Sequence, residues 1–365
     1  MIRFFCTGLC AVLLSLSFIA RQANGQPAAA PEYTGSLISD KAPYEWRDGA
    51  KLHFFRGKYW LLGGWTNAPR KSWGGDCTTN EIWSSTDLVT WTLERKHAHV
   101  LTEEDIRQLR EGPEPRWTAR HAFGSFIFND YLWVIGRDHI TSAPIIDVWR
   151  SKDALHWECV MIEGVLGRKR MPLVTPYVGA IHVLGGETEE PGKMGESTAT
   201  HFRSTDGVNW EKLPDMPFIR SSGGAVEIGG VLLVLGGNSG NTTNGGVRIR
   251  HNDVWAWDGK DWRQQIEHAP WPPMMWIDTV VYDNKVWVLA GRKSDDPGAP
   301  GDSTGAWYSA DLGKTWTHVA APWPATHADG VTATDADGIV MAGGNQIAYS
   351  SYRLKAVTPQ SASAH

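Results

Sequence analysis

The sequence predicts an all-β chain, a six-bladed β-propeller of four-stranded antiparallel blades, and three observations predict it. An apolar strand ending on a glycine pair, or a relic of one, returns six times. Counted from the first member of each pair (Gly63, Gly136, Gly185, Gly236, Ala290, Gly343), the separations are 73, 49, 51, 54 and 53 residues. After each pair except the last comes an aspartate with a tryptophan four or five residues on: Asp87 and Trp91, Asp153 and Trp157, Asp206 and Trp210, Asp258 and Trp262, Asp311 and Trp316. Within each copy, apolar residues alternate with polar ones. A period near fifty marks a repeat protein. Short alternating runs rich in Val, Trp and Ile, broken by Gly, Asp and Asn, are antiparallel strands, and four per repeat make a propeller blade. One blade cannot bury both faces, so neighbours must stack, and closing the ring removes the exposed edges.

In the first copy the four strands are expected at 51–55, 59–62, 80–84 and 91–94. The glycine pairs sit where the chain crowds the axis and needs a backbone conformation that a Cβ would block. Most of the 20 tryptophans fill the wedges between sheets. The aspartate of each Ser-x-Asp hairpin accepts hydrogen bonds from its own turn. The sixth copy lacks the aspartate-tryptophan hairpin, so its last blade is one strand short, and residues 33–41 are placed to supply it. Residues 102–110 read as a short helix, with Thr102 capping and Asp105 three residues on. From 355 onward a flexible tail is expected.

The Gly-Gly strand followed by Asp-Val-Trp (Asp147-Val148-Trp149, Asp253-Val254-Trp255) and the outer tryptophan resembles the kelch repeat, as in propellers similar to galactose oxidase. The resemblance covers nearly all of 33–354. The hairpins Ser85-Thr86-Asp87, Ser151-Lys152-Asp153, Ser204-Thr205-Asp206 and Ser309-Ala310-Asp311 also resemble the Asp boxes of sialidases. Both resemblances imply a propeller, and neither motif implies a reaction.

Residues 1–25 read as a secretory signal: Arg3, an apolar run over 9–19, and Ala23-Asn24-Gly25 as the cleavage site. A secreted or periplasmic protein follows as an expectation, with no membrane contact after cleavage. Of 35 Lys and Arg, two (Arg3 and Arg21) leave with that segment, so 33 bases face 40 acids and a nucleic-acid partner is disfavoured. Cys6 and Cys10 leave too. Cys77 and Cys159 remain, too few for a disulfide framework or a metal-thiolate site.

Aligned on the glycine pairs, Arg47, Arg120, Arg220 and His327 stand eighteen residues before Trp65, Asp138, Asn238 and Asn345, and Arg170 stands seventeen before Glu187. The fifth copy carries Met274, Met275 and Trp276 there. These residues begin the innermost strands, so they should converge on one mouth with Trp65, Asp138, Glu187, Asn238, Arg292 and Asn345. Each arginine can serve the backbone of a neighbouring blade, or the set can hold an anion through bidentate bonds. On the second reading the substrate-binding residues are Arg47, Arg120, Arg170, Arg220, His327, Trp65, Trp276, Asp278 and Arg292. Asp48, His121, Asp138 and Glu187 are the candidates for proton transfer. Asp329 follows the last strand start in the same way. Long loops at 66–79, 188–200, 239–250 and 293–305 lie on the same face and suit recognition.

A copper-radical oxidase is excluded, because neither remaining cysteine lies on an inner strand and neither Tyr177 nor Tyr282 precedes a histidine. Arg170-Met171-Pro172 faintly resembles the sialidase Arg-Ile-Pro, but in the third copy, with no tyrosine-glutamate pair. An exported six-bladed ring of the sialic acid mutarotase type is similar in architecture only. No metal site or cofactor is expected. The expected partner is a carbohydrate, an acidic sugar, bound or processed at the channel mouth of a monomer. A non-catalytic scaffold binding another protein through the long loops is the alternative, and a sialidase-like glycoside hydrolase a second.

Overall fold

A computed structural model of the chain describes residues 32–67, 69–137, 146–162, 164–241, 246–293, 305–326, 331–344, 347 and 349–357. Six four-stranded antiparallel sheets form a six-bladed propeller. Blade 1 runs Lys51–Phe55, Lys58–Leu62, Ile82–Ser85 and Thr92–Arg95, within two residues of the expected bounds. The first strands of blades 2 to 6 are Gly124–Phe128, Leu173–Tyr177, Gly224–Ile228, Met275–Tyr282 and Thr332–Asp335. Each neighbours the next, and the last returns to Lys51–Phe55, so the ring is closed around a channel lined by these strands.

The closure has the form that the short sixth copy predicts. Tyr33–Ser39 pairs antiparallel with Ser351–Ala356 and is the outermost strand of blade 6. That last strand runs two residues beyond the expected end at 354, because Tyr33 and Thr34 extend its ladder to Ala356 and Lys355. The helix Glu103–Glu111 is also present, and the Thr102 side chain accepts from the Asp105 N–H while Asp105 accepts from the Thr102 N–H. No helix among the described residues is long and apolar enough to cross a membrane.

Apolar side chains meet between the blades. One cluster joins Leu62 and Trp60 of blade 1 to Val134 and Trp149 of blade 2, and another joins Phe128 and Ile135 of blade 2 to Ile181 and Phe202 of blade 3. Trp149 and Trp133 are fully buried in these wedges, as Trp287 is in the cluster that joins blade 5 to blades 6 and 1.

Four hairpins share one turn. In the third blade the Ser204 hydroxyl accepts the N–H groups of Asp206 and Gly207, and Asp206 Oδ1 accepts those of Val208 and Asn209 at 2.8 Å each. The Trp210 indole then donates to the Gly207 carbonyl. Asp87, Asp153 and Asp311 repeat the pattern, each with its tryptophan closing the turn. The Asn209 N–H leads the donors that hold the Asp206 carboxyl well below the usual carboxylate range. Asp206→Ala is expected to lower stability by about 1 kcal/mol, the worth of comparable side-chain caps on backbone N–H groups. A urea midpoint equal to wild type would show that water replaces the carboxylate there.

Candidate functional site

The glycine pairs and the arginines belong to one device. Gly63 and Gly64 have φ of 61° and 115°, Gly185 and Gly186 57° and 90°, Gly236 and Gly237 48° and 92°. This backbone lets the second glycine of one blade donate to the carbonyl at the arginine position of the next: Gly64 to Arg120, Gly186 to Arg220 and Gly237 to Met274, at 2.8–2.9 Å. A Cβ on Gly185 would lie 2.0 Å from the Arg220 oxygen. The first glycines Gly63 and Gly185 are crowded by the neighbouring blade's carbonyl, whereas a Cβ on Gly64, Gly186 or Gly237 would meet the arginine-position segment of its own blade.

The side chains of these arginines turn back into their own blades. Arg47 donates to Glu81 at 2.9 Å and to the Gly63 carbonyl, with its guanidinium 5.3 Å from the Trp73 ring. Arg120 grips Asp147 with both terminal nitrogens, and Arg220 grips Asp253 at 2.8 Å twice and the Gly236 carbonyl at 2.7 Å. All three arginines are at most 2% exposed. Burial pushes the Asp253 carboxyl up, but hydrogen bonds from Arg220 outweigh it and hold the group below its ordinary value. The expectation that Arg47, Arg120 and Arg220 hold a ligand carboxylate is thus corrected: each is buried and already holds a carboxylate of its own blade. Trp73, within the first of the long loops expected to serve recognition, is likewise fully buried against Arg47.

Blade 3 shows why Arg170 sits one residue out of step. Lys169, eighteen residues before Glu187, takes the buried place, donating to Thr200 Oγ1 at 2.7 Å and lying 5.1 Å from the Phe202 ring. Arg170 therefore corresponds to Asp48, His121 and Ser221, the residues that follow each buried cation. Its side chain is 27% exposed and its Nε donates to Glu187 Oε2 at 2.7 Å. A strict spacing of eighteen would have separated the two classes. Blade 5 has neither member of the ion pair: Met274 replaces the arginine, and Gly305 stands two residues before Trp307, where Glu81, Asp147 and Asp253 precede their tryptophans.

The residues one and two past the buried cation form the mouth. Asp48 pairs with Trp65, Arg170 with Glu187, Ser221 with Asn238 and Met275 with Arg292 across short ladders. The next residue is left-handed in five blades: Gly49, Ala122, Met171, Ser222 and Trp276, with φ of 51–58°. Backbone bonds link them around the rim, Ala122 N–H to the Gly49 carbonyl, Ser222 N–H to Met171 and Trp276 N–H to Ser222. Side chains other than glycine hold this conformation at a cost of about 1–3 kcal/mol each, which marks the rim as a place under constraint.

A cavity of about 190 Å³ opens at this rim, lined by Asp48, Gly49, Trp65, His121, Ala122, Trp276 and Arg292. Five of the residues expected at the site line it, from blades 1, 2 and 5. The Trp65 and His121 rings lie 6.0 Å apart, and the Arg292 guanidinium stands 5.3 Å from the Trp276 ring. A Cβ on Gly49 would lie 2.7 Å from the Ala122 nitrogen and 3.2 Å from His121 Cβ, so glycine there leaves room for the neighbouring blade's rim. Ala122 and Trp276 also line the channel beneath, about 550 Å³. Asp278 lies in that channel, only 3% exposed, and not in the upper cavity.

Among solved structures, the chain is similar to one titled "Structure of YjhT". The TM-score is 0.54 at 14% identity, over 74% of this chain and 83% of that one. This likeness supports the propeller fold. No family model matches the sequence, and no curated protein matches it.

Glu187 is fully buried, its carboxylate held by Arg170, by the Ser221 hydroxyl and by the Asn238 amide at 2.7–3.3 Å. Asp138, His327, Asp329 and Asn345 lie outside the described residues. The segment 239–250, expected as a loop, is partly ribbon: Val231–Gly240 and Arg248–Trp257 pair beyond a bulge after Leu235. Cys77 and Cys159 are free thiols, and burial pushes that of Cys159 up to about 12.

Proposed function

We propose that this chain is an exported kelch-type propeller that binds or processes a carbohydrate, an acidic sugar, at the channel mouth. The observation that carries the reading is the convergence of Trp65 and Trp276 with Asp48, His121 and Arg292 on one cavity. Indole faces suit the C–H faces of a sugar ring, and a guanidinium suits its carboxylate. With Arg47, Arg120 and Arg220 engaged inside the blades, Arg292 and Arg170 are the cations that keep exposed surface at the mouth. Asp48 and His121 stand beside the tryptophans and are the groups for proton transfer. Glu187 is sealed from the cavity and serves to orient Arg170.

A glycan array with neutral, uronic and sialic acid ligands tests the reading. Wild type should favour the acidic glycans. Arg292→Ala should weaken that binding roughly ten- to a hundredfold, since a charged hydrogen bond contributes about 1.5–3 kcal/mol. Trp65→Ala should weaken neutral and acidic ligands alike. Equal binding of neutral and acidic glycans, or none, would reject this site and favour a protein scaffold working through the 188–200 loop.

A further inference from the structure

Away from the mouth, the first long loop and the segment after the outer strand of blade 1 meet at three potential ligands. Asp76 Oδ2 lies 2.9 Å from His97 Nε2 and 2.8 Å from His99 Nδ1, and the three ligand atoms lie within 4.8 Å of one another. Asp76 lies over twenty residues before the two histidines in sequence, and both segments are held in place.

Asp76 closes a tight turn. Its N–H donates to the Trp73 carbonyl at 3.1 Å, and its own carbonyl accepts the Arg70 N–H at 3.0 Å. The histidine segment is pinned by Asn80, whose buried side chain accepts the Ala98 N–H at 2.9 Å. Beyond the ligand atoms, Thr79 Oγ1 lies 3.3 Å from the other ring nitrogen of His97, and the Trp73 ring packs 6.3 Å from that imidazole. Gly74 is left-handed, and a Cβ on it would lie 2.9 Å from His99 Cγ, so glycine at this turn leaves room for the second ring. A hydroxyl or carbonyl on the far nitrogen is the usual outer support of a metal-bound imidazole, fixing its tautomer.

We propose that Asp76, His97 and His99 bind a divalent transition-metal ion of the zinc type. Two imidazoles and a carboxylate suit zinc and its neighbours rather than calcium or magnesium, which take oxygen ligands. Three protein ligands leave a fourth position for water or a ligand atom. Ligand atoms about 2.0–2.1 Å from one tetrahedral ion stand about 3.3 Å apart, so Asp76 must draw back from each ring by about half an ångström. His99 and Asp76, whose side chains are 34% and 30% exposed, can give that movement while the buried His97 stays fixed. The Thr79 hydroxyl serves both states. It donates to His97 Nδ1 when Nε2–H points at Asp76, and it accepts from Nδ1–H when Nε2 holds the ion.

The test uses untagged full-length protein treated with a chelator and dialysed, with Zn2+ followed by calorimetry and Co2+ by visible absorption. Wild type should take up one equivalent of each, with tetrahedral or five-coordinate Co2+ bands. His99→Ala, at a partly exposed position, should lose at least tenfold in Zn2+ affinity while keeping the wild-type melting temperature of the metal-free protein. Thr79→Val should lose roughly tenfold through the outer support, and Thr79→Ser, which keeps the hydroxyl that also accepts the Glu81 N–H, should retain the affinity. No uptake by wild type would show that Asp76 only accepts hydrogen bonds from the two rings and would overturn the proposal. So would an unchanged isotherm in both His97→Ala and His99→Ala, or Mg2+ binding as tight as Zn2+.

Discussion

Arg220→Ala is expected to cost the fold about 3–5 kcal/mol, because it strands a carboxylate in the interior of blade 4. Asp253 is 8% exposed and would keep only the Trp255 indole donor at 2.9 Å, and the Gly236 carbonyl would lose its guanidinium partner. The pH dependence distinguishes this from a generic loss of packing. In wild type the folded Asp253 carboxyl lies below its unfolded value of about 3.9, so its stabilisation is present above that value and lost as the pH falls through the folded one. Without Arg220, burial, the largest influence on this group, is opposed only weakly by the Trp255 indole and His251 and raises the carboxyl, so the variant loses stability as the pH rises through that raised value. The gap between the two proteins should therefore narrow below about pH 4. Removing both charges, as Arg220→Met with Asp253→Leu, should recover most of the loss, since blade 5 already closes with Met274 at that place. Chemical denaturation at pH 7 and pH 3.5 measures all three effects. A variant with wild-type stability that no longer binds acidic glycans would instead return Arg220 to the ligand.

The six blades and the missing strand were legible because repeat spacing is a geometric constraint. The glycines of blades 1, 3, 4 and 5 bond to the next blade's backbone, so their position cannot drift without breaking the seam. The site was half legible for the same reason. Spacing brought Asp48, Trp65, His121, Trp276 and Arg292 to one mouth, but it could not say which way a side chain turns. Arg47 and Asp48 are adjacent, yet one points into the blade toward Glu81 and the other lines the cavity. The acids that decide this, Glu81, Asp147 and Asp253, recur two residues before a tryptophan of the third strand. That second periodicity, read together with its loss at Gly305 where Met274 replaces the arginine, is the signal that separates seam from site. The Asp76, His97 and His99 cluster had no periodic signal, since Asp76 lies in a loop whose sequence differs from blade to blade and the histidines lie in the link between copies one and two, which is longer than the others.

Deleting residues 33–39 should open the ring. Tyr33–Ser39 supplies the outer edge of blade 6, with six residue pairs to Ser351–Ala356. It also ties that blade to its neighbour: the Tyr33 ring meets Trp287 of blade 5 edge-on at 4.7 Å, and its hydroxyl donates to Asp283 at 2.7 Å and accepts from Lys285. Gly35 passes so close to Pro322 that a Cβ would lie 2.7 Å from the proline ring. The strand is therefore fixed along its length and not merely laid on an edge. Tyr33→Ala alone should cost about 3–5 kcal/mol, the range for removing a buried aromatic ring. Losing the whole strand exposes the unpaired backbone of Ser351–Ala356, an edge that invites pairing with another chain. The truncated protein should accordingly elute as oligomers and unfold at a lower denaturant concentration. A synthetic peptide of residues 33–39 added in trans should restore the wild-type elution by completing the sheet, because backbone pairing and the Tyr33 pocket are both still available to it. A truncated chain with the wild-type elution and the wild-type midpoint would show that blade 6 holds the ring shut with three strands.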